Sequence, residues 1–304
     1  MFWHLALPRQ VPSSLIKYAV GIFEPFLHGT LWGKRLTTLG IQAYLKLYIV
    51  PRMLNGLQAL VLNKTESTLL DRAYKNFLKK LLGLRDKTAD EAIYILIGLL
   101  PIAAELDLAV LSLFAAITRL QNDHPLYMIT LRQATVTHNK GWVAMAIAVG
   151  EKYNIKSTML ASLLSPWKKS RWKSFTQLVV SEHWLIHIRQ SAGEKSSLKY
   201  LNTDHFSFKS AHHLWPNYGC SSRKRVAASF RAKFITGSYI LQTNRARFNQ
   251  NAVDPTCPLC HLAEEDLPHL LFNCPALQGQ RDKLLTRIKK TDADSGPCNP
   301  PGPI

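Results

Sequence analysis

The chain has 304 residues, 47% of them hydrophobic, which is enough for one large domain or two modest domains with a sizeable core. Its five cysteines are an odd number, which argues against a disulfide framework and for a reducing compartment. No basic start precedes the first apolar residues, and the longest uncharged apolar run, 92–104, is too short to span a bilayer. We therefore expect a soluble intracellular protein, in the nucleus or cytoplasm, that is neither secreted nor bound to a membrane.

The formal net charge of +18 is unevenly distributed along the chain. Residues 166–250 carry 15 Lys and Arg against 3 Asp and Glu, a net +12, whereas residues 251–304 carry 5 against 7, a net −2. Trp and Phe residues are interleaved with the positive charges of the basic segment. This pattern predicts a polyanionic partner, because Lys and Arg neutralise phosphates and aromatic rings stack on unpaired bases. The alternative is a solvated basic surface that serves solubility.

The predicted fold class is mainly α, with helical periodicity beginning near residue 35 and continuing to about 125. The helices predicted in this region are 43–62, 67–84, 88–100 and 102–120. Pro51 is expected to kink or restart the first helix. Ser67 is a suitable N-cap for the second helix, and Gly83 suits its C-terminal end. Pro101 joins the last two helices into a hairpin.

A basic helical connector is predicted to follow over 126–250. Its predicted helices are 141–153, 157–164, 172–190, 205–215 and 224–236. The apolar positions predicted to be buried in the helix at 172–190 are Phe175, Leu178, Val179, Trp184 and Ile188. In the helix at 224–236, Val226, Phe230 and Phe234 recur every four residues and are predicted to form its packing stripe. Outside these regions, residues 1–34 are a poorly defined N-terminal fragment and residues 286–304 a disordered tail.

Residues 251–285 are predicted to form a small zinc knuckle, because they contain a C-x2-C-x8-H-x4-C array. Two thiolates two residues apart close on one ion through a tight turn, and a His and a third Cys on a following short helix complete a tetrahedral shell. The predicted ligands of a structural Zn²⁺ are Cys257, Cys260, His269 and Cys274. His261 competes as fourth ligand, but it directly follows Cys260 and is too close for tetrahedral closure. The alternative is three reduced thiols and a surface histidine.

Four stretches of the chain resemble the C-terminal third of the reverse transcriptases of non-LTR (LINE-type) retrotransposons. They are 44–58, with a Tyr…Pro-Arg-x-Leu-x-Gly-Leu pattern, 88–105, 226–245, and the cysteine motif at 255–281. In that family the first stretch begins the polymerase thumb and the second forms the helical hairpin after it. The third stretch departs from the family, since Arg231 and Lys233 stand in swapped order. The resemblance covers residues 35–285 and implies a thumb-like region over 35–125, the basic connector and the zinc knuckle.

The resemblance does not carry the family's catalytic activities to this chain. The family's palm holds two metal ions through a Tyr-x-Asp-Asp turn, and the sequence contains no Asp-Asp pair. We expect the palm upstream on a longer product and the endonuclease in a separate domain, so the chain is predicted not to be an enzyme. His183 and His187 share a helix face, but no third ligand lies between them, and a second metal site is not favoured.

These features together predict a zinc-dependent nucleic-acid-binding remnant, with single-stranded RNA or an RNA–DNA junction as the favoured partner. The residues expected to contact phosphate are Lys168, Lys169, Arg171, Lys173, Arg223, Lys224, Arg225, Arg231, Lys233, Arg245 and Arg247. Two alternatives stay open. One is a helical protein-interaction scaffold clipped by a structural zinc, and the other is an inert, decayed element fragment.

Overall fold

The computed structural model describes residues 42–136, 141–208, 210–212, 214, 222–248 and 252–294. Its internal contacts divide the chain into two compact units, Met1–Ser238 and Tyr239–Ile304. We call them the helical unit and the C-terminal unit. The fragment predicted at 1–34 lies outside the described residues, and the finer division at 125 and 126 stays a prediction.

The mainly α fold class is confirmed. A π-helical turn at Leu45–Ile49 runs directly into the first α-helix. The helical unit contains α1 Val50–Leu54, α2 Lys64–Leu82, α3 Asp90–Ile97, α4 Ile102–Ile117, α5 Pro125–Thr135, α6 Trp142–Lys152, α7 Lys156–Leu164, α8 Lys169–Gly193 and α9 Ser222–Ile235. The C-terminal unit contains α10 Gln242–Phe248 and α11 Gln278–Asp294. No strand occurs in the described residues, although an isolated antiparallel bridge joins Thr256 and Glu264.

The N-terminus of α2 is closed by a capping box that lies before the predicted helix start. The Asn63 side chain accepts a hydrogen bond from the Glu66 backbone N–H at 2.9 Å, and the Glu66 carboxylate accepts one from the Asn63 N–H at 2.8 Å. Ser67 lies inside the first turn, so its prediction as N-cap is wrong. Gly83 does end the helix, in the left-handed conformation (φ 65°), and a Cβ there would lie 2.5 Å from Ser229 Oγ.

The core of the helical unit is formed by α3, α4 and α8. Every residue from 92 to 102 is buried, so α3 has no solvent-facing side along this stretch. Trp172 on α8 is 2% exposed, and its indole N–H donates to the Leu111 carbonyl on α4 at 3.0 Å. The break predicted at Pro101 is confirmed, because α3 ends before it and α4 begins directly after it. The predicted hairpin is wrong, since the chain bends by 66° between α3 and α4 and does not reverse its direction. In the described part of the chain no single helix is long and apolar enough to cross a membrane. Helices α3 and α4 have the length and apolar composition of a membrane span only when they are taken together.

Two helix assignments in the second half of the helical unit are corrected by the structure. The predicted helix at 205–215 is wrong, since its described residues lie in turns and bends. Phe206 and Phe208, two residues apart, are both buried with ring centroids 4.9 Å apart, which is an extended rather than a helical spacing. Conversely, the sequence predicts no helix between 120 and 141, whereas the structure has α5 in this interval. Pro125 is the first residue of α5, and the His124 ring accepts from the Leu126 N–H at 3.2 Å.

The packing face predicted for α8 is confirmed except at one position, whereas that of α9 needs correction. Ile188 is buried, and Phe175, Val179 and Trp184 are partly buried against the core, but Leu178 is 57% exposed. The other buried residues of α8 are Trp172, Thr176, Val180 and Ala192. On α9, Val226 is 54% and Phe230 is 46% exposed, whereas Ala228 and Ala232 are fully buried. Small side chains let a helix approach its neighbours closely, so the alanine face was selected over the bulkier one.

The disordered tail predicted over 286–304 is wrong for its first nine residues. Helix α11 continues to Asp294, so residues 286–294 are helical rather than disordered. Residues 295–304 lie outside the described part of the chain.

Candidate metal centre and basic surfaces

Four side chains of the C-terminal unit form a group with the dimensions of a metal site. The ligand atoms of Cys257, Cys260, His269 and Cys274 all lie within 4.8 Å of one another. The two sulfurs of Cys257 and Cys274 are 3.9 Å apart, and Cys260 Sγ lies 3.3 Å from His269 Nε2. A tetrahedral zinc ion with Zn–S of about 2.3 Å and Zn–N of about 2.0 Å requires separations of roughly 3.8 Å and 3.5 Å. The group therefore fits a metal ion of this size.

The first two ligands are positioned by a tight turn. The Cys257 N–H donates to the Ala263 carbonyl at 2.8 Å, and the His261 N–H donates to the Cys257 carbonyl at 2.9 Å. His261 adopts a left-handed conformation (φ 56°), which reverses the chain directly after Cys260. A backbone hydrogen bond from Leu262 lowers the pKa of the Cys260 thiol and so favours the thiolate that binds metal. His261 itself is exposed and outside the group, whereas His269 lies within it.

The other two ligands lie at either end of a π-helical turn, His269–Asn273. The His269 N–H donates to Asp266 Oδ1 at 2.7 Å, and the Cys274 N–H donates to the His269 carbonyl at 2.7 Å. The Arg281 guanidinium donates to the Cys274 carbonyl and so attaches the start of α11 to the group. Burial raises the pKa of the Cys274 thiol, so its thiolate needs a compensating cation.

Glu265, between the second and third ligands, joins the ligand group to α10. Its carboxylate accepts a hydrogen bond from the Gln242 N–H at 2.8 Å, and its carbonyl accepts one from the Thr243 hydroxyl at 2.8 Å. Helix α10 carries two of the predicted phosphate-binding residues, Arg245 and Arg247, which are both exposed. This role was not predicted from the sequence. Three acidic residues follow one another at 264–266, and no feature of the neighbouring sequence distinguishes Glu265 as the one that contacts α10.

The first basic group of the helical unit lies at the start of α8. Lys168 is its N-cap residue, and Lys169, Arg171 and Lys173 follow within the first turns, all exposed. The Arg171 guanidinium lies 4.4 Å from the centroid of the Trp167 ring. The first turn contains no acidic residue. Cations at a helix N-terminus oppose the helix macrodipole, so this placement does not serve helix stability.

The remaining basic residues lie on α9. Arg223, Lys224 and Arg225 are in its first turns, and their side chains are outside the described part of the structure. Arg231 is exposed, and the half-buried Lys233 places its ammonium 5.3 Å from the Phe230 ring. The structure thus places the predicted phosphate-binding residues in three groups, on α8, α9 and α10, and the last of these is in the C-terminal unit.

The histidine pair of α8 takes part in side-chain packing. The His183 ring packs edge-on against Tyr153 at 4.9 Å, and His187 lies 5.4 Å from the Trp184 ring. The Tyr153 hydroxyl donates to Asp107 at 2.6 Å and accepts from the Trp184 indole N–H at 2.9 Å. Partial burial lowers the pKa of His183. Among the described residues, the Cys₃His group is the one set of His, Cys, Asp or Glu side chains close enough to hold a metal.

No model of a protein family matches the chain, and no curated protein and no solved structure matches it either. The resemblance to non-LTR reverse transcriptases therefore rests on the sequence motifs alone.

Proposed function

We propose that this protein binds nucleic acid through its exposed cations, and that a structural Zn²⁺ holds the cations of α10 in place. The observation that carries the proposal is the double contact of Glu265 with α10. The metal loop and the helix with Arg245 and Arg247 form one hydrogen-bonded assembly. When the metal loop is ordered, these contacts therefore fix the position of α10 and of its two solvent-exposed arginines.

Zinc is the metal that the ligand set supports best. Three thiolates and one imidazole are soft donors that favour Zn²⁺ over the hard cations Mg²⁺ and Ca²⁺. Four protein ligands leave no coordination position for water or substrate, so the ion would serve folding rather than catalysis. We assign the chain no catalytic activity of its own.

Nucleic acid is the polyanion that the basic surfaces suit best. The cations at the start of α8 oppose the helix dipole, and Arg171 lies over the Trp167 ring, so charge and an aromatic surface occur together. Charge beside aromatic groups is the combination that binds unpaired strands, through phosphate neutralisation and base stacking. Single-stranded RNA or an RNA–DNA junction is therefore the favoured ligand, and the resemblance to reverse transcriptases supports the same choice.

A labelled single-stranded RNA titrated with the full chain across a salt series tests the proposal. We expect the logarithm of the binding constant to fall with the logarithm of salt concentration with a slope of several units. Chelation, or the double variant Cys257→Ser/Cys260→Ser, should weaken binding by about as much as Arg245→Ala/Arg247→Ala does. The matched control is His261→Asn, which removes the imidazole outside the ligand group, keeps a residue that tolerates the left-handed conformation, and should bind as the unmodified chain. No binding at low salt would overturn the proposal.

A second candidate function is a protein-interaction scaffold, which is favoured by apolar side chains around the ligand group. Leu262 is 76%, Phe272 is 71% and Leu259 is 51% exposed. Such a patch is typical of a protein-binding surface. Under this alternative, partner binding would be nearly insensitive to salt, and Leu262→Ser/Phe272→Ser would abolish it without affecting RNA affinity.

A further inference from the structure

A cleft of about 340 Å³ opens in the helical unit between α1, α4 and α8. One part of its wall is apolar and includes Pro51, Leu54 and Leu108. The volume lies in the range of pockets that hold drug-sized ligands, and it is larger than an amino acid would fill. The cleft belongs entirely to the helical unit, so it is independent of the metal group.

Glu105, on α4, is the acidic residue that lines this cleft. Burial raises the pKa of its carboxyl, and the charge of Lys46 acts in the opposite direction. Among the described residues, no donor makes a hydrogen bond to this carboxylate or an ion pair with it. A desolvated carboxylate without a donor costs free energy, and a ligand that supplies N–H groups would recover that cost.

The other polar groups of the cleft restrict the ligand further. Lys46 and Lys173 supply two ammonium groups, of which that of Lys46 also donates to the Phe208 carbonyl at 3.3 Å, and Asn55 and Gln58 supply carboxamides. Lys173 is also one of the exposed cations at the start of α8. A matching ligand has an apolar body for the apolar wall, adjacent N–H donors for the carboxylate, and a negative group for the lysines. Guanine combines a ring N–H and an exocyclic amino group on one edge, whereas adenine, cytosine and uracil present no such adjacent pair of donors.

We propose that this cleft binds a guanine nucleotide, either free or at the end of an RNA strand. The donor edge of the base lies on the Glu105 carboxylate, the ring lies against the apolar wall, and the phosphate contacts Lys46 and Lys173. The site would give a positively charged protein a preference for one nucleotide, which phosphate contacts alone cannot provide.

Calorimetric titration of the full chain with guanosine 5′-monophosphate, and with adenosine 5′-monophosphate for comparison, tests the site. We expect the guanine nucleotide to bind about tenfold more tightly or better, which is the typical effect of hydrogen bonds to a charged group. Glu105→Gln keeps the shape and removes the charge, and it should abolish this preference. The matched control is Glu151→Gln, an exposed position on α6, which should retain it. Equal affinities for the two nucleotides, or a preference that survives Glu105→Gln, would overturn the proposal.

Three further measurements test the phosphate contact, the source of the nucleotide and the independence of the cleft from the metal group. Lys173→Ala should weaken binding of the monophosphate but not of guanosine, whereas Lys80→Ala, an exposed lysine of α2, should change neither. Tighter binding of a short RNA that ends in guanosine than of the monophosphate would identify a strand end, and equal binding would identify a free nucleotide. The preference should persist in Cys257→Ser/Cys260→Ser, so the outcome is separable from that of the zinc-dependent binding. Loss of the preference in this double variant would contradict an independent site.

Discussion

The helical unit and the C-terminal unit are stabilised in different ways. The helical unit buries large apolar side chains, among them Tyr74, Phe114 and Trp172, each at most 2% exposed. In the described part of the C-terminal unit, the buried residues are Leu241, Ala246, Cys257, His269 and Cys274. Three of these five are candidate metal ligands. Large apolar side chains form the core of the first unit, whereas the second buries few of them, and we therefore expect a bound ion to contribute to its stability.

The two units also differ in charge. Residues 239–294 carry 7 Lys and Arg and 7 Asp and Glu, so the positive excess of the chain lies elsewhere. General attraction to polyanions is therefore expected from the helical unit. The C-terminal unit contributes a small number of arginines whose positions depend on a folded loop. The helical unit is therefore expected to determine the strength of polyanion binding, and the C-terminal unit its dependence on metal.

Metal removal should give the largest difference between the two units. Chelation, or Cys257→Ser/Cys260→Ser, is expected to unfold the C-terminal unit, since structural zinc supplies roughly 10–16 kcal/mol of apparent binding free energy in comparable small units. Limited proteolysis of the full chain with mass spectrometry measures this, with new cleavage sites expected within 239–294 alone. An unchanged cleavage pattern would contradict the dependence on metal.

Truncation of the central indole should affect the opposite unit. Trp172→Ala removes a fully packed side chain and its hydrogen bond to Leu111, and is expected to cost about 3–5 kcal/mol of unfolding free energy. Denaturant unfolding measures the loss, and metal stoichiometry should be unaffected. Leu178→Ala on the same helix is the matched control, and at 57% exposure it should change stability by less than about 0.5 kcal/mol. Similar losses in both variants would mean that the packing of α8 is assigned wrongly.

The start of α2 allows a smaller test of the helical unit. Asn63→Ala removes one half of the capping box and should cost about 1 kcal/mol. Ser67→Ala, inside the first turn, should be close to neutral. Thermal unfolding of the two variants distinguishes them, and the reverse order would restore Ser67 as the cap.

Of these changes, a fall in pH should alter the unfolding free energy of the helical unit the least. Partial burial acts to raise the pKa of Asp90, but hydrogen bonds from Lys79 and Lys75 outweigh it and lower the pKa below 3.8. The ionised form therefore stabilises the fold above pH 3.8, and this stabilisation is lost as pH falls through the lower, folded value. After allowance for solvent screening it amounts to less than about 1 kcal/mol.

The acid effect is measured by comparing urea unfolding of the unmodified chain and Asp90→Asn. The two should differ at pH 6, and the difference should shrink as pH falls below 3.8. Asp123→Asn, an exposed loop position, is the control and should parallel the unmodified chain throughout. A constant difference between the unmodified chain and Asp90→Asn at all pH values would assign the stabilisation to something other than the charge of Asp90.

Features determined by neighbouring residues were predictable from the sequence. The four metal ligands lie within 18 residues, so the spacing already restricts which atoms can meet around one ion. The end of α2 at Gly83 and the break at Pro101 also follow from the local backbone preferences of glycine and proline. The capping residue Asn63 was missed although Asn-x-x-Glu is a capping-box pattern, so that signal was present in the sequence.

Features that depend on packing were predicted poorly. The Phe230 position of α9 satisfies helical periodicity, but the neighbouring elements accept the alanine face instead. Phe206 and Phe208 were assigned to a helix, yet their burial side by side requires an extended chain. Periodicity shows which residues are apolar, whereas the shape of the available surface decides which of them are buried.

The sequence by itself determined the helical class, the group of three cysteines and one histidine that could hold a metal ion, and the position of the positive charge, because each depends on composition or on spacing over a few residues. Only the tertiary structure decided that Glu265 holds α10, and that Glu105, Lys46 and Lys173 face one cleft. The residues of the cleft come from segments separated by many residues along the chain. Their proximity depends on how helices pack, and no local pattern encodes that packing.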